Sequence, residues 1–243
     1  MENMLSLHDS YLRECDAIVT SVKEGRFVTL DKTVFYPTGG GQPHDTGTMA
    51  VGGKTFNVIS VGKSDGAVFH QVEPEGMLKE GDRVHCTINW ERRYRLMRMH
   101  TSAHLLMALI HNETGALGTG NQIGEEQTRI DFDLHDFNKE HAIEYVRKAN
   151  EAIKMDLPVT VSFMPRDEAL RIPGMVKLAG KLPPSVKELR IVEIKGIDQQ
   201  ADGGTHVKSL KEIGFIEFVK FKNQGKNNKR LYYTVNTKSP SQE

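Results

Sequence analysis

Residues 91–113 read ERRYRLMRMHTSAHLLMALIHNE, and within them Leu96, Met99, Ala103, Leu106, Met107 and Ile110 recur at three- and four-residue spacings. That period predicts an amphipathic helix. Asn89 is placed to cap it and Glu91 falls in its first turn, where a negative charge meets the positive helix end. Working outward, a second helix is expected over 138–155, with Ala142, Val146, Ala149 and Ile153 as its apolar stripe and Pro158 as its limit. Alternation predicts strands at 129–134, 159–164, 188–195, 214–222 and 230–235. Two long helices with antiparallel-looking strands make an α+β domain.

Upstream the texture changes. Residues 26–30, 47–51, 55–61, 67–72 and 83–88 are short β-branched or aromatic runs, separated by Gly39-Gly40-Gly41, Gly52-Gly53, Gly62, Gly66 and Gly81. Short strands at close spacing predict a small antiparallel β-barrel. The expected division is therefore a barrel over 1–88 and an α+β domain over 89–243. A frayed tail is expected at the final TKSPSQE.

The chain has 243 residues, with Lys+Arg 32 against Asp+Glu 32. This balance argues against a non-specific nucleic-acid coat but leaves room for a local basic patch. No apolar run reaches the roughly 18 residues of a membrane span. The first residues lack a signal-peptide pattern, so a cytoplasmic protein with no membrane partner is expected. Cys15 and Cys86 cannot build a disulfide framework and form no CxxC. No long heptad pattern calls for an oligomer, and a monomer is the expected state.

Ten histidines carry more information. His100 and His104 stand four apart on the first helix, so one face presents both rings, close enough to share a metal ion. An isolated HxxxH is more often a pair of half-buried histidines. Here DGGTH supplies a third, His206, after the Gly203-Gly204 turn, with Asp202 four residues before it. Three histidines and a carboxylate make a tetrahedral zinc set, and such a site can assist hydrolysis. Thr101 in place of the Glu of HExxH argues against a metallopeptidase.

At this point the residues resemble a family. MRMHTSAHLL (97–106), followed by DQQADGGTHVKSLKEIG (198–214), is similar to the editing domain of alanyl-tRNA synthetases. VFYPTGGGQPHDTG (34–47) resembles the glycine-rich motif shared with the medium-length freestanding editing proteins called AlaX-M, and KNQGKNNKRLYYTV (222–235) resembles the family's C-terminal end. The four motifs come in the family's order and span nearly the whole chain. There is no room for an ATP-binding aminoacylation domain, so the resemblance implies a trans-editing enzyme. Such proteins hydrolyse the ester that joins a wrong amino acid to tRNA; for tRNA(Ala) this is serine, with glycine second. The need is physical: an alanine pocket admits the smaller glycine, and one added hydroxyl is a weak handle for excluding serine.

The resemblance carries the metal-ligating and catalytic roles onto His100, His104 and His206, with one zinc ion. The family's cysteine position is held here by Asp202. Three readings are open: Asp202 ligates, it acts as a base beside the metal, or metal binding is weakened. The metal either activates a water or positions the substrate. Thr101 and Thr205, with Ser102, are candidates to meet a serine hydroxyl, against the simpler reading of local backbone bonds. Gly40, Gly41 and Gln42 of the GGGQP motif are expected to shape the substrate site, because glycines permit positive φ and close backbone approach. Residues 118–122 read as a loop that could line the entrance. RNA contact is expected at Lys222, Lys226, Lys229 and Arg230, with Lys220 and with Arg92, Arg93, Arg95 and Arg98 as further candidates. The alternative is a non-catalytic tRNA- or partner-binding protein on the same fold.

Overall fold

The computed structural model describes residues 3–64, 66–172, 175 and 187–237. The expected frayed tail lies outside these except for its first residue, Thr237. The chain forms two compact units, Met1–Arg95 and Leu96–Glu243.

The first unit is a closed antiparallel barrel. Its strands are β1 (Glu14–Lys23), β2 (Phe27–Leu30), β3 (Gly47–Val51), β4 (Lys54–Ser64), β5 (Ala67–Glu73) and β6 (Arg83–Ile88), ordered β1-β2-β5-β4-β3-β6. Five of the six coincide with expected strands. The sixth, β1, was not expected, yet it closes the ring by pairing with β2 (Val22↔Val28) and with β6 (Cys15↔Cys86). Closure leaves no unpaired edge. Inward side chains Val19, Val28, Met49, Phe56, Val58, Val72, Val84 and Cys86 fill the interior, all at most 1% exposed. His70 also points inward and is fully buried. Its Nδ1–H donates to Val28 O (3.0 Å) and its Nε2 accepts from the Thr33 hydroxyl (2.8 Å). Both ring nitrogens are thereby satisfied in one neutral tautomer, and burial holds its pKa down at about 4.

The boundary between units falls within helix α1 (Trp90–Thr114). Asn89 caps it as expected, its side chain accepting from Arg92 N (3.1 Å). The expected amphipathic character is corrected: Leu96–Ala108 is buried on every side, including Arg98, His100, Thr101, Ser102 and His104. A helix enclosed all round must satisfy its polar side chains within the protein. Arg98 does so by donating to Ile213 O (2.7 Å) and Asn236 O (2.8 Å).

The rest of the second unit comprises β7 (Gly118–Gln122), β8 (Thr128–Phe132), helix α2 (Lys139–Lys154), β9 (Val159–Pro165), the single turn α3 (Arg166–Ala169), β10 (Glu188–Ile194), β11 (Asp198–Ala201), β12 (Phe215–Asn223) and β13 (Lys229–Asn236). They form a three-stranded sheet, β11-β10-β9, and a four-stranded sheet, β12-β13-β8-β7, both antiparallel. Residues 118–122 are thus a strand, correcting the loop reading. Helix α2 begins at the Asn138 cap, which accepts from His141 N, and buries the expected Ala142, Val146, Ala149 and Ile153. Asn150 on this helix bonds both the N–H and the C=O of Ile216 at 2.8 Å. This covers part of the free edge of β12, where unpaired backbone groups would otherwise remain. The α+β class with a small barrel stands, and no helix among the described residues is long and apolar enough to cross a membrane.

Candidate metal centre

Helix α1 supplies two of the functional rings. His100 and His104 lie one turn apart, with ring centroids 5.1 Å from each other. The third comes from the segment after β11. Antiparallel pairing of β10 with β11 continues one residue past the strand, where Asp202 N donates to Arg190 O (3.1 Å). The chain then turns sharply: Asp202 Oδ2 accepts from Gly204 N at 2.5 Å, a turn closed by the aspartate's own side chain. Gly204 runs directly against His100, so that a Cβ there would sit 2.1 Å from the ring's Cε1. Only glycine permits that approach, which explains the second glycine of DGGTH. His206 follows, its ring centroid 4.5 Å from His100 and 4.6 Å from His104.

One atom from each of His100, His104, Asp202 and His206 lies within 4.8 Å of all the others. The carboxylate sits among the rings. Its Oδ1 faces His100 Nε2 (3.7 Å) and His104 Nε2 (3.9 Å), and its Oδ2 faces His206 Nε2 (3.0 Å).

Hydrogen-bond accounting tests whether this set fits a cation. The Thr101 hydroxyl donates to Met97 O (2.9 Å) and accepts from Val207 N (3.2 Å). It also lies 3.1 Å from His206 Nδ1, and its one proton is already committed, so Nδ1 carries the proton of that pair. In the neutral ring, Nε2 then presents a lone pair to a carboxylate oxygen 3.0 Å away. Two acceptors at that distance need a proton or a cation between them. Burial disfavours the proton: it lowers His206 to about 4 and holds His100 well below its ordinary value. Burial alone raises a carboxylate's pKa, but the surrounding histidines outweigh it at Asp202, which is held well below its ordinary value. His100 and His206 are thereby neutral and the carboxylate ionised; nearby buried Arg190 also favours the anion, its Nη1 donating to Asp202 O (2.9 Å) and lying 3.9 Å from Oδ2. Three imidazoles and one carboxylate are a donor set suited to zinc, and poorly suited to magnesium or calcium, which prefer all-oxygen shells.

Residues 8–92 match the family model described as tRNA synthetases class II (A), and residues 189–232 match the second additional domain of threonyl and alanyl tRNA synthetases. The alanyl-tRNA editing protein AlaX-M of Saccharolobus solfataricus is 47% identical over 237 residues, covering 97% of this chain and 99% of that protein. The AlaX-M of Methanosarcina barkeri is 42% identical with the same coverage. An alanine–tRNA ligase of Methanococcus maripaludis is 38% identical over 89% of this chain but only 24% of the ligase. The chain belongs to the AlaX-M family.

The other residues singled out in this AlaX-M chain fall into distinct settings. The Thr101 hydroxyl is spent on Met97, Val207 and His206, so it holds the His206 ring and has no lone pair left for a substrate hydroxyl. Ser102 lies 3.1 Å from the Tyr233 hydroxyl and donates to Met99 O. Thr205 is fully buried next to His206. In the first unit, Gly40 and Gly41 occupy the two positive-φ positions (59° and 84°) of a turn closed by reciprocal bonds between Gly39 and Gln42. The Gln42 side chain is buried. The loop is anchored at Asp45, which accepts from Tyr36 N (2.6 Å) and pairs with fully buried Arg93. Arg93 and Arg98 are therefore internal anchors and are removed from the RNA candidates. Lys229 is removed as well: it is 3% exposed, and its ammonium donates to Asn223 Oδ1, Gly225 O and Lys226 O to hold the β12–β13 turn. Arg230 is engaged by Asp131 through two bonds of 2.6 and 3.0 Å. Lys222 and Lys226 are exposed.

Two functional residues escaped the sequence reading. Buried Gln200 lies 2.7 Å from His104 Nδ1 and bonds Asp198 Oδ2 at 2.9 Å, and Asp198 Oδ2 is itself 3.4 Å from that nitrogen. A polar partner behind a ligating histidine fixes the ring's orientation. The available signal was DQQAD itself, a strand too polar for its burial.

Proposed function

We propose that this protein edits alanyl-tRNA in trans, as a zinc-dependent aminoacyl-tRNA deacylase in the cytoplasm. Its substrate is tRNA(Ala) mischarged with serine, with glycine second, and it works as a monomer. The observation that carries this reading is the four-ligand cluster, assembled in a chain that matches AlaX-M relatives from end to end.

His100, His104, His206 and Asp202 would hold one zinc ion, with Asp202 as the fourth ligand in the family's cysteine position. When bound, zinc supplies a Lewis acid that polarises the ester or the water that attacks it. The chain's own groups do the rest. Thr101 keeps His206 in the tautomer that turns Nε2 inward, and Gln200 with Asp198 orients His104. Arg190 steadies the carboxylate. Enclosure of the cluster strengthens each of these electrostatic contacts. Thr205, beside His206, is assigned to the amino-acid pocket of the second unit, and Gly40, Gly41 and Gln42 to substrate binding on the first. The first unit, with its glycine-rich turn, would serve substrate selection, and the second would carry the ester chemistry.

The test is deacylation of Ser-tRNA(Ala), Gly-tRNA(Ala) and Ala-tRNA(Ala), by the parent and by Asp202→Ala, with and without chelator. Serine should be released and alanine spared, with activity lost to chelator and restored by zinc. Asp202→Ala should lower kcat/KM about 10- to 100-fold. Failure of zinc-loaded protein to release any of the three amino acids would overturn the enzymatic reading in favour of a binding protein.

A further inference from the structure

The four-stranded sheet of the second unit has two unlike faces. The inner face is apolar: Ile130, Leu231, Tyr233 and Val235 are fully buried. The outer face follows from the register. One row across the sheet reads Gln122, Arg129, Tyr232 and Lys220, and the next reads Gly120, Asp131, Arg230 and Lys222. The irregularity between Phe218 and Lys220 is what brings both lysines to this side, since the extra residue shifts the strand's alternation.

Tyr232 is half-buried in the middle of these rows. The Lys220 ammonium stands 4.4 Å from its ring centroid and that of Lys222 5.9 Å, both lysines being exposed. Arg129 pairs with Tyr232 on the side away from Lys220, and Arg230 stands two residues along the same strand. Asp131, the acid of these two rows, is bonded to Arg230 and 3.8 Å from Arg129. Four cations against one anion make a local positive field on a chain whose formal net charge is zero.

We infer that this sheet face binds RNA, the phosphodiester backbone lying along Lys220 and Lys222 and an unpaired base meeting Tyr232. This rests on the proposed tRNA substrate and names the surface that receives it. Charge and shape both favour this placement. Phosphates seek flexible, exposed ammonium groups, and an aromatic ring on an open sheet offers a sequence-tolerant stacking platform. Arg230, held by Asp131, and Arg129 beside it would set the field without moving. The reading also replaces the turn at Lys226 and Lys229 with the strand face as the main contact.

The experiment is binding of uncharged tRNA(Ala) to the full chain by fluorescence anisotropy across a salt series. The proteins are the parent, Lys220→Glu/Lys222→Glu, Tyr232→Ala, Tyr232→Phe and, as a single charge reversal on the first unit, Lys54→Glu. Circular dichroism establishes that each is folded. The double variant should weaken binding at least tenfold, and the slope of log affinity against log salt should fall by roughly 1.5 to 2, as for two lost phosphate contacts. Tyr232→Ala should weaken it about fivefold or more, with Tyr232→Phe close to the parent, because stacking needs the ring and not the hydroxyl. Lys54→Glu should bind as the parent does. A parental affinity and salt slope in the double variant would overturn the inference, and so would a parent that does not bind tRNA. Binding through this face by a protein that releases no amino acid would sink the catalytic reading alone.

Discussion

Each unit buries histidine, and the two do so to opposite effect. In the barrel, His70 has one nitrogen donating to Val28 O and the other accepting from Thr33, so the ring is complete as a neutral group. In the second unit, His100, His104 and His206 turn their rings toward one another around Asp202, and the His206 pair lacks a proton that burial will allow it. Burial lowers the pKa in both places, to about 4 for His70 and for His206. What distinguishes a structural histidine from a ligand is therefore not its burial. It is whether one neutral tautomer satisfies the groups that face both nitrogens: it does so at His70, between Val28 O and the Thr33 hydroxyl, whereas at His206 the Nε2 lone pair faces a carboxylate that can only accept.

The largest effect should come from removing a ligand. His206→Ala should bring zinc, measured by elemental analysis of the purified chain, from one ion to near none. Release of serine from Ser-tRNA(Ala) should fall about a thousandfold, the several kcal/mol that a catalytic metal contributes. His70→Gln should leave the metal content at one. Loss of zinc in both variants would erase the contrast.

Acid should separate the two kinds of histidine next. His70 binds its proton at about 4 in the folded barrel, against an ordinary value near 6.5. Between those values the unfolded chain carries more protons, so stability falls as pH drops through that window and is complete above it. At pH 4.5 the expected loss is on the order of 2 kcal/mol relative to pH 7. The sole tryptophan, Trp90, belongs to the first unit and reports its unfolding in urea. His70→Gln, which offers a donor to Val28 and an acceptor to Thr33, should flatten the pH dependence. An unchanged slope would place the acid sensitivity elsewhere.

The same contrast marks what could be read from the sequence. Helix α1 and the histidine pair on it were legible, because a period of 3.6 and an i, i+4 spacing are local properties. Asp202 and His206 were legible through the glycine turn between them. Strand β1 was not. Its outward residues mix acids, hydroxyls and lysine, and it is a strand because β2 and β6 pair with it from both sides. The same holds for β7, GTGNQ, where Gly120 packs beside Asp131, and for β11, DQQA, whose Asp198 and Gln200 are buried beside His104. Lys229 misled for a related reason: a lysine in a polar turn looks solvated, and only the hairpin's closure shows three carbonyl and amide oxygens around its ammonium.

The smallest effect concerns Thr101, where two roles compete for one hydroxyl. In the structure that oxygen is saturated: it gives its proton to Met97 O and accepts from Val207 N and from His206 Nδ1. Thr101→Val keeps the shape and removes the acceptor, leaving the His206 N–H unpaired and its ring free to turn. Zinc affinity should fall about tenfold, the lower end of what is lost when a partner behind a ligand is removed. Thr101→Ser should restore it. A threonine that instead met the substrate's hydroxyl would behave otherwise: Thr101→Val would leave zinc affinity alone and lower discrimination between Ser-tRNA(Ala) and Ala-tRNA(Ala). Competition against a chromophoric chelator reads the first quantity, and paired deacylation rates read the second. Unchanged metal affinity with lost discrimination would return Thr101 to the substrate pocket and would mean that His206 needs no lock to stay a ligand.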